Sequence, residues 1–216
     1  MNQSEIKYLK DYKPSNYIIN ETHLKFELDE SKTRVTANLH IVANPENREN
    51  NTLVLDGNNL KLLAIKIDNK ELSNTDFIVN ENQLIIDDAP EKFVLETVVE
   101  INPEANTSLE GLYKSGEVFC TQCEATGFRK ITYYLDRPDV MSSYTVKIIA
   151  DKKKYPVILS NGDKVESGDI SDTQHFAVWK DPFKKPCYLF ALVAGDLASI
   201  RAVSYTHLRA HETTSH

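Results

Sequence analysis

Residues 119–130, FCTQCEATGFRK, hold the side chains best suited to chemistry: Cys120 and Cys123 in a C-x-x-C spacing, with Gln122 and Glu124 between and after them. A C-x-x-C is a redox pair, half of a zinc site, or two small thiols in an unrelated setting. An extended backbone over VFCTQCEA turns Cys120 and Cys123 to opposite faces, because their separation is odd. They then neither bond to each other nor share a metal. A redox pair also calls for a helix N-terminus and βαβ surroundings, and neither is visible. A zinc site would need Cys187 and a distant histidine such as His175 to complete it. Two buried or half-buried thiols are the expectation.

The same geometry sets Gln122 and Glu124, two apart, on one face. A carboxylate beside an amide carbonyl is a pair of acceptors, suited to an ammonium group, which has three donors and no acceptor. The pair reads either as such a site or as ordinary solvated loop residues. HETTSH, residues 211–216, invites comparison with the H-E-x-x-H zinc helix but carries one residue too many. Histidines four apart on a helix sit about 40° from each other, whereas His211 and His216, five apart, sit about 140° apart. No G-x-S-x-G, no glycine-rich phosphate loop and no carboxylate cluster with metal-loop spacing occurs.

The elements that must hold these residues are strands. Leu24, Phe26 and Leu28 alternate with polar residues, as do Val35, Ala37, Leu39 and Ile41, so the two runs read as neighbouring strands. Further strands are expected in NTLVLDG, LKLLAIKID, DFIVNENQLIID, EKFVLETVVEIN, RKITYYLD, SYTVKIIAD, YPVILSNGDKVESGDI and QHFAVWKD. Turn signals fall at Asp56-Gly57, Asp68-Asn69 and Asn161-Gly162, the last typical of a tight hairpin. A short helical turn after Pro138 is the only helical signal before about residue 200. The fold class is therefore all-β, an antiparallel β-sandwich or a set of curved sheets, not a doubly wound α/β fold.

With 216 residues, the chain has room for one large β domain. Its 32 acidic and 25 basic residues give a net charge of −7 spread along the sequence, which disfavours nucleic acid and anionic membrane as partners. The polar start MNQSEIKYLKDYK lacks a signal-peptide core, and three cysteines make no disulfide framework, so a cytoplasmic location is expected. AVSYTHLRAHETTSH, from Ala202 on, continues none of the strand patterns. Residues 202–216 read as a foreign or frame-shifted tail, or otherwise a polar terminus, and residues 1–201 as the domain.

CTQCEATGFRKITYYLDRPDVMSSYTVKIIADKKKYPVILSNGD, WKDPFKKPCYLFALVAGDL and YLKDYKPSNYIINETHLKFELDESKTRVTANL together resemble the N-terminal domain of the aminopeptidase N family, the alanyl aminopeptidases among the zinc-dependent gluzincins. The resemblance covers roughly residues 7–201. It implies a saddle-like β domain packed on a thermolysin-like catalytic domain, in enzymes that remove single residues from the amino ends of peptides. It also implies that Gln122 and Glu124 help hold the substrate's amino terminus, next to a non-proline cis peptide after Glu124. The family's H-E-x-x-H and G-x-M-E-N motifs are absent from this sequence. The expectation is thus a chain truncated before the catalytic domain and inactive alone, with no catalytic residue and no metal ligand. Zinc would belong to the intact enzyme, with none bound by this chain. The partners implied are a peptide N-terminus and the missing catalytic domain. The alternative is a free-standing β-sandwich binding or interaction module.

Overall fold

The computed structural model describes residues 12–198; the segment 202–216, with His211 and His216, lies outside the described residues. In chain order the strands are β1 (Tyr17–Glu27), β2 (Thr33–Ala43), β3 (Leu53–Asp56), β4 (Lys61–Ile67), β5 (Lys70–Glu71), β6 (Ile78–Val79), β7 (Gln83–Ile86) and β8 (Lys92–Ile101). They continue as β9 (Gly111–Ser115), β10 (Val118–Gln122), β11 (Met141–Asp151), β12 (Val157–Ser160), β13 (Asp163–Asp169), β14 (Gln174–Pro186) and β15 (Leu192–Gly195). Two short 3-10 turns, Phe128–Lys130 and Cys187–Leu189, are the only helices among the described residues, and no helix there is long and apolar enough to cross a membrane. The all-β expectation is met.

An eight-stranded sheet runs β13-β14-β11-β1-β2-β8-β4-β5, a four-stranded sheet β12-β15-β10-β9, and a three-stranded sheet β3-β7-β6. Alternation builds the large sheet's inner face: Val35, Ala37, Leu39 and Ile41 of β2 and Phe93, Leu95 and Val99 of β8 are buried. In β1 a bulge between Ile19 and Glu21 shifts the phase by one residue, so Tyr17 and Ile19 before it face inward along with Leu24 and Phe26 after it. The outer face carries cross-strand ion pairs such as Lys66–Glu96 and Lys61–Glu100.

Three expectations need correction. The large sheet is not wholly antiparallel, because β1 pairs with β11 in parallel, Glu21 opposite Ser143 through Glu27 opposite Ile149. RKITYYLD is not a strand. It begins in the 3-10 turn Phe128–Lys130, and residues 131–136 are then buried on every side, joined to the sheets by one bridge, Asp56 to Tyr134. A run enclosed all round has no alternation to read. Asn161-Gly162 does turn the chain, with Gly162 at φ +86°, but not into a hairpin: β12 pairs with β15 and β13 with β14. A Cβ at Gly162 would sit 2.3 Å from the Lys180 carbonyl oxygen, so that crossing between sheets needs glycine. Asp68-Asn69, both at positive φ, does form the two-residue hairpin turn between β4 and β5.

Candidate functional site

Gln122 is the last residue of β10, held opposite Gly111 of β9. On its other edge β10 pairs with β15 only through Phe119 and Cys120. Beyond that the Thr121 hydroxyl takes over, accepting from the Leu192 N–H at 2.8 Å and donating to the Leu192 carbonyl at 3.2 Å. The strand then stops, and the Gly127 N–H donates to the Cys123 carbonyl at 2.8 Å, closing residues 123–127 into a tight turn. The Glu124–Ala125 peptide is cis, as the resemblance implied.

Gln122 and Glu124 therefore do not share a strand face, since the chain has already turned at Glu124. They meet by another route. The Gln122 side-chain amide donates to the backbone carbonyl of Glu124 at 3.2 Å, and both residues are exposed while Cys123 between them is buried. That bond uses an amide hydrogen, so the Gln122 Oε1 and the Glu124 carboxylate keep their capacity as acceptors. The Glu124 carboxylate makes no hydrogen bond or ion pair with another described residue.

What holds this turn lies behind it. Phe128 is completely buried, its ring 4.7 Å from Tyr134, 5.3 Å from Phe190 and 6.3 Å from Tyr144. The neighbouring Arg129 folds back on Asp136, whose side chain is only 1% exposed. One carboxylate oxygen of Asp136 accepts from the Arg129 backbone N–H at 3.1 Å and from its Nε at 2.9 Å, and the other accepts from the Cys187 thiol at 3.1 Å. Arg129 also reaches Asp56 at 3.4 Å and donates to the Asp136 carbonyl at 3.1 Å, so the buried carboxylate has a charged partner and several donors. Sequence reasoning missed this triad of Arg129, Asp136 and Cys187. The available signal was an aspartate closing the apolar run ITYYLD, a charge that a buried site must pair.

The three cysteines are free. Cys120 is half-buried and Cys123 buried, the expected arrangement. Burial and then the nearby Asp136 charge push the Cys123 thiol up to about 12, and the same two causes raise Cys187 further. Such thiols stay protonated near neutral pH and are poor nucleophiles and poor metal ligands. His175 is engaged elsewhere, its Nε2 lying 2.8 Å from the Tyr155 carbonyl oxygen. Among the described residues the only group of three metal-ligating side chains is Glu21, His23 and His40, on β1 and β2 and not beside Gln122. With no H-E-x-x-H in the sequence, these residues do not make the zinc centre that the resemblance places in a catalytic domain.

Gly127 sets the turn's tightness. A Cβ there would lie 2.4 Å from the Gln122 carbonyl oxygen and 3.1 Å from the Cys123 Cα. Gly127→Ala is therefore expected to force the turn away from β10 and to destabilise the domain by about 1–3 kcal/mol, the usual cost of overpacking. Thermal unfolding checks this, and an unchanged midpoint would show that the turn is not packed as described.

Residues 12–189 match the family model described as the peptidase M1 N-terminal domain. Aminopeptidase N of Escherichia coli is 49% identical over 199 residues, which is 92% of this chain and 22% of that protein, so the chain spans about a fifth of that relative's length. Among solved structures, that of Legionella pneumophila aminopeptidase A in complex with aspartic acid superposes with a TM-score of 0.85 at 36% identity, over 90% of this chain and 23% of that one. An M1 zinc metallopeptidase from Deinococcus radiodurans, 15% identical, shares the fold with a TM-score of 0.72 over 86% of this chain and 43% of its own.

Proposed function

Because this chain belongs to the peptidase M1 N-terminal domain family, we propose that it serves a zinc aminopeptidase, one that removes amino-terminal residues from peptides, by supplying the turn that anchors the substrate's free amino group. The observation that carries this reading is the turn after β10, where the acceptors of Gln122 and Glu124 stand exposed on a braced backbone and the Glu124 carboxylate has no partner among the described residues. A substrate ammonium brings three donors to those acceptors, and its bond to the carboxylate is charge-assisted. A substrate whose amino end is blocked would leave that carboxylate desolvated and unpaired, which penalises binding and confines the enzyme to free amino termini.

In this reading the domain positions and does not react. The zinc and the general base belong to the catalytic domain of the same polypeptide, the main partner of this chain, and the chain alone is inactive. The negative net charge supports peptides, not nucleic acid or membrane, as the ligand class, and three unpaired cysteines support a reducing, cytoplasmic setting.

Gln122 offers a neutral acceptor and steadies the turn. In the intact aminopeptidase that carries this domain, Gln122→Ala is expected to lower kcat/KM on an alanyl substrate roughly 2- to 13-fold, the worth of one ordinary hydrogen bond. An unchanged kcat/KM would remove Gln122 from the site.

A further inference from the structure

On the outer face of the eight-stranded sheet, we propose that Glu21, His23 and His40 form a binding site for a divalent transition-metal ion, with Zn2+ the ion best matched to two imidazoles and a carboxylate. The inference is independent of the amine anchor, and its failure would leave that reading untouched.

The placement follows from strand geometry. Glu21 and His23 stand two apart on β1 and so share a face. The bulge between Ile19 and Glu21 sets the register in which Glu21 lies directly opposite His40 of β2, with His23 one pair further along, opposite Asn38. Directly opposed and diagonal side chains on one face are within reach of each other. The ligand atoms of all three residues lie within 4.8 Å of one another. Donors around a tetrahedral zinc sit about 3.3 Å apart, so small side-chain rotations close the set.

The donors are already gathered. The His23 Nε2 is 3.2 Å from the Glu21 carboxylate, and the His23 and His40 rings stack with centroids 5.1 Å apart and planes at 27°. Among the described residues the His40 ring nitrogens have no hydrogen-bond partner, so a metal there breaks no protein hydrogen bond. Glu21 is held below the usual carboxylate range, chiefly by the His23 hydrogen bond and then by the nearby His40 and Lys180. The Lys180 ammonium opposes an added cation, and a carboxylate ligand is what offsets it. Both strands are interior members of the sheet, β1 between β11 and β2, and β2 between β1 and β8, which fixes the backbone on which the ligands stand. Three protein ligands leave a further position for water or for a group brought by a partner.

The proposal departs from the expectation that this chain binds no metal. That expectation rests on the cysteines and the terminal histidines, whereas these ligands come from two strands and meet only through the β1–β2 register.

Calorimetric titration of the whole chain with Zn2+ in a non-coordinating buffer tests the site. One Zn2+ per chain is expected, with affinity weakened at least about 10-fold by His23→Ala or His40→Ala. Replacing the terminal histidines together, as His207→Ala/His211→Ala/His216→Ala, is expected to leave that binding in place. On the unaltered chain, the ring resonances of His23 and His40 are expected to shift together as Zn2+ is added, which decides the matter even if an alanine variant fails to fold. Binding that survives both single substitutions, or ring resonances that stay fixed with Zn2+ in excess, would overturn the proposal.

Discussion

Replacing Glu124 by alanine in the intact aminopeptidase proposed to carry this domain is expected to lower kcat/KM on an unblocked alanyl peptide by roughly 10- to 150-fold. The range is the rate equivalent of about 1.5–3 kcal/mol, the worth of a hydrogen bond to a charged group. A surface ion pair would be worth less than 1 kcal/mol. Glu124 is exposed in this chain, and the larger figure rests on the proposed substrate and catalytic domain excluding water from the turn. Glu124→Gln keeps an acceptor and loses the charge, so its loss is expected to fall between that of the wild type and that of the alanine variant. Because the proposed contact of the carboxylate is with the amine and not with the scissile bond, much of the effect is expected in KM. An unchanged kcat/KM for Glu124→Ala would end the assignment.

Phe128→Ala is expected to be the most damaging single change for the fold. The ring is completely buried and meets Tyr134, Tyr144 and Phe190, and it follows directly on the turn that carries Glu124. Truncating a buried phenylalanine costs about 3–5 kcal/mol, through lost burial and the cavity left behind. For a chain of this size that amounts to a fall in unfolding temperature of roughly 6–20 °C. Against a typical total stability of about 5–15 kcal/mol, that is a third or more of the margin for a domain of average stability. Phe128→Leu keeps most of the volume and is expected to cost under half as much, losing chiefly the edge-to-face ring contacts. Thermal unfolding of the two variants beside the wild type checks this. If Phe128→Ala melts with the wild type, Phe128 does not brace the turn.

The long strands β1, β2, β8 and β11 of the large sheet were legible because each has one buried face: the alternation in Leu24-Phe26 and in Val35-Ala37-Leu39-Ile41 is the sheet's own geometry written in residue types. Residues 131–136 were misread because burial on all sides erases that alternation. The parallel β1–β11 pairing and the sheet change at Asn161-Gly162 were not legible, since both depend on which distant strand arrives as partner. At the site, the acceptor chemistry of Gln122 and Glu124 alone leaves a binding pair and solvated loop residues both open, the family resemblance is what implies a role, and the two residues meet through a turn and a side-chain-to-carbonyl bond, not a shared strand face. The bracing by Asp136 and the grouping of Glu21, His23 and His40 arise from contacts far apart in sequence, where residue type alone gives a weak signal.

The claim that this domain reads a free amino group is tested most directly by measuring how much the amine itself contributes to binding. The inhibition constant of alaninamide and that of its desamino counterpart, propionamide, can be compared on the intact enzyme and on its Glu124→Ala variant. The account predicts that the wild type prefers the amine-bearing compound and that the substitution erases about 10-fold or more of that preference. A preference that survives Glu124→Ala undiminished would contradict it, and the amino group would then be held by other residues.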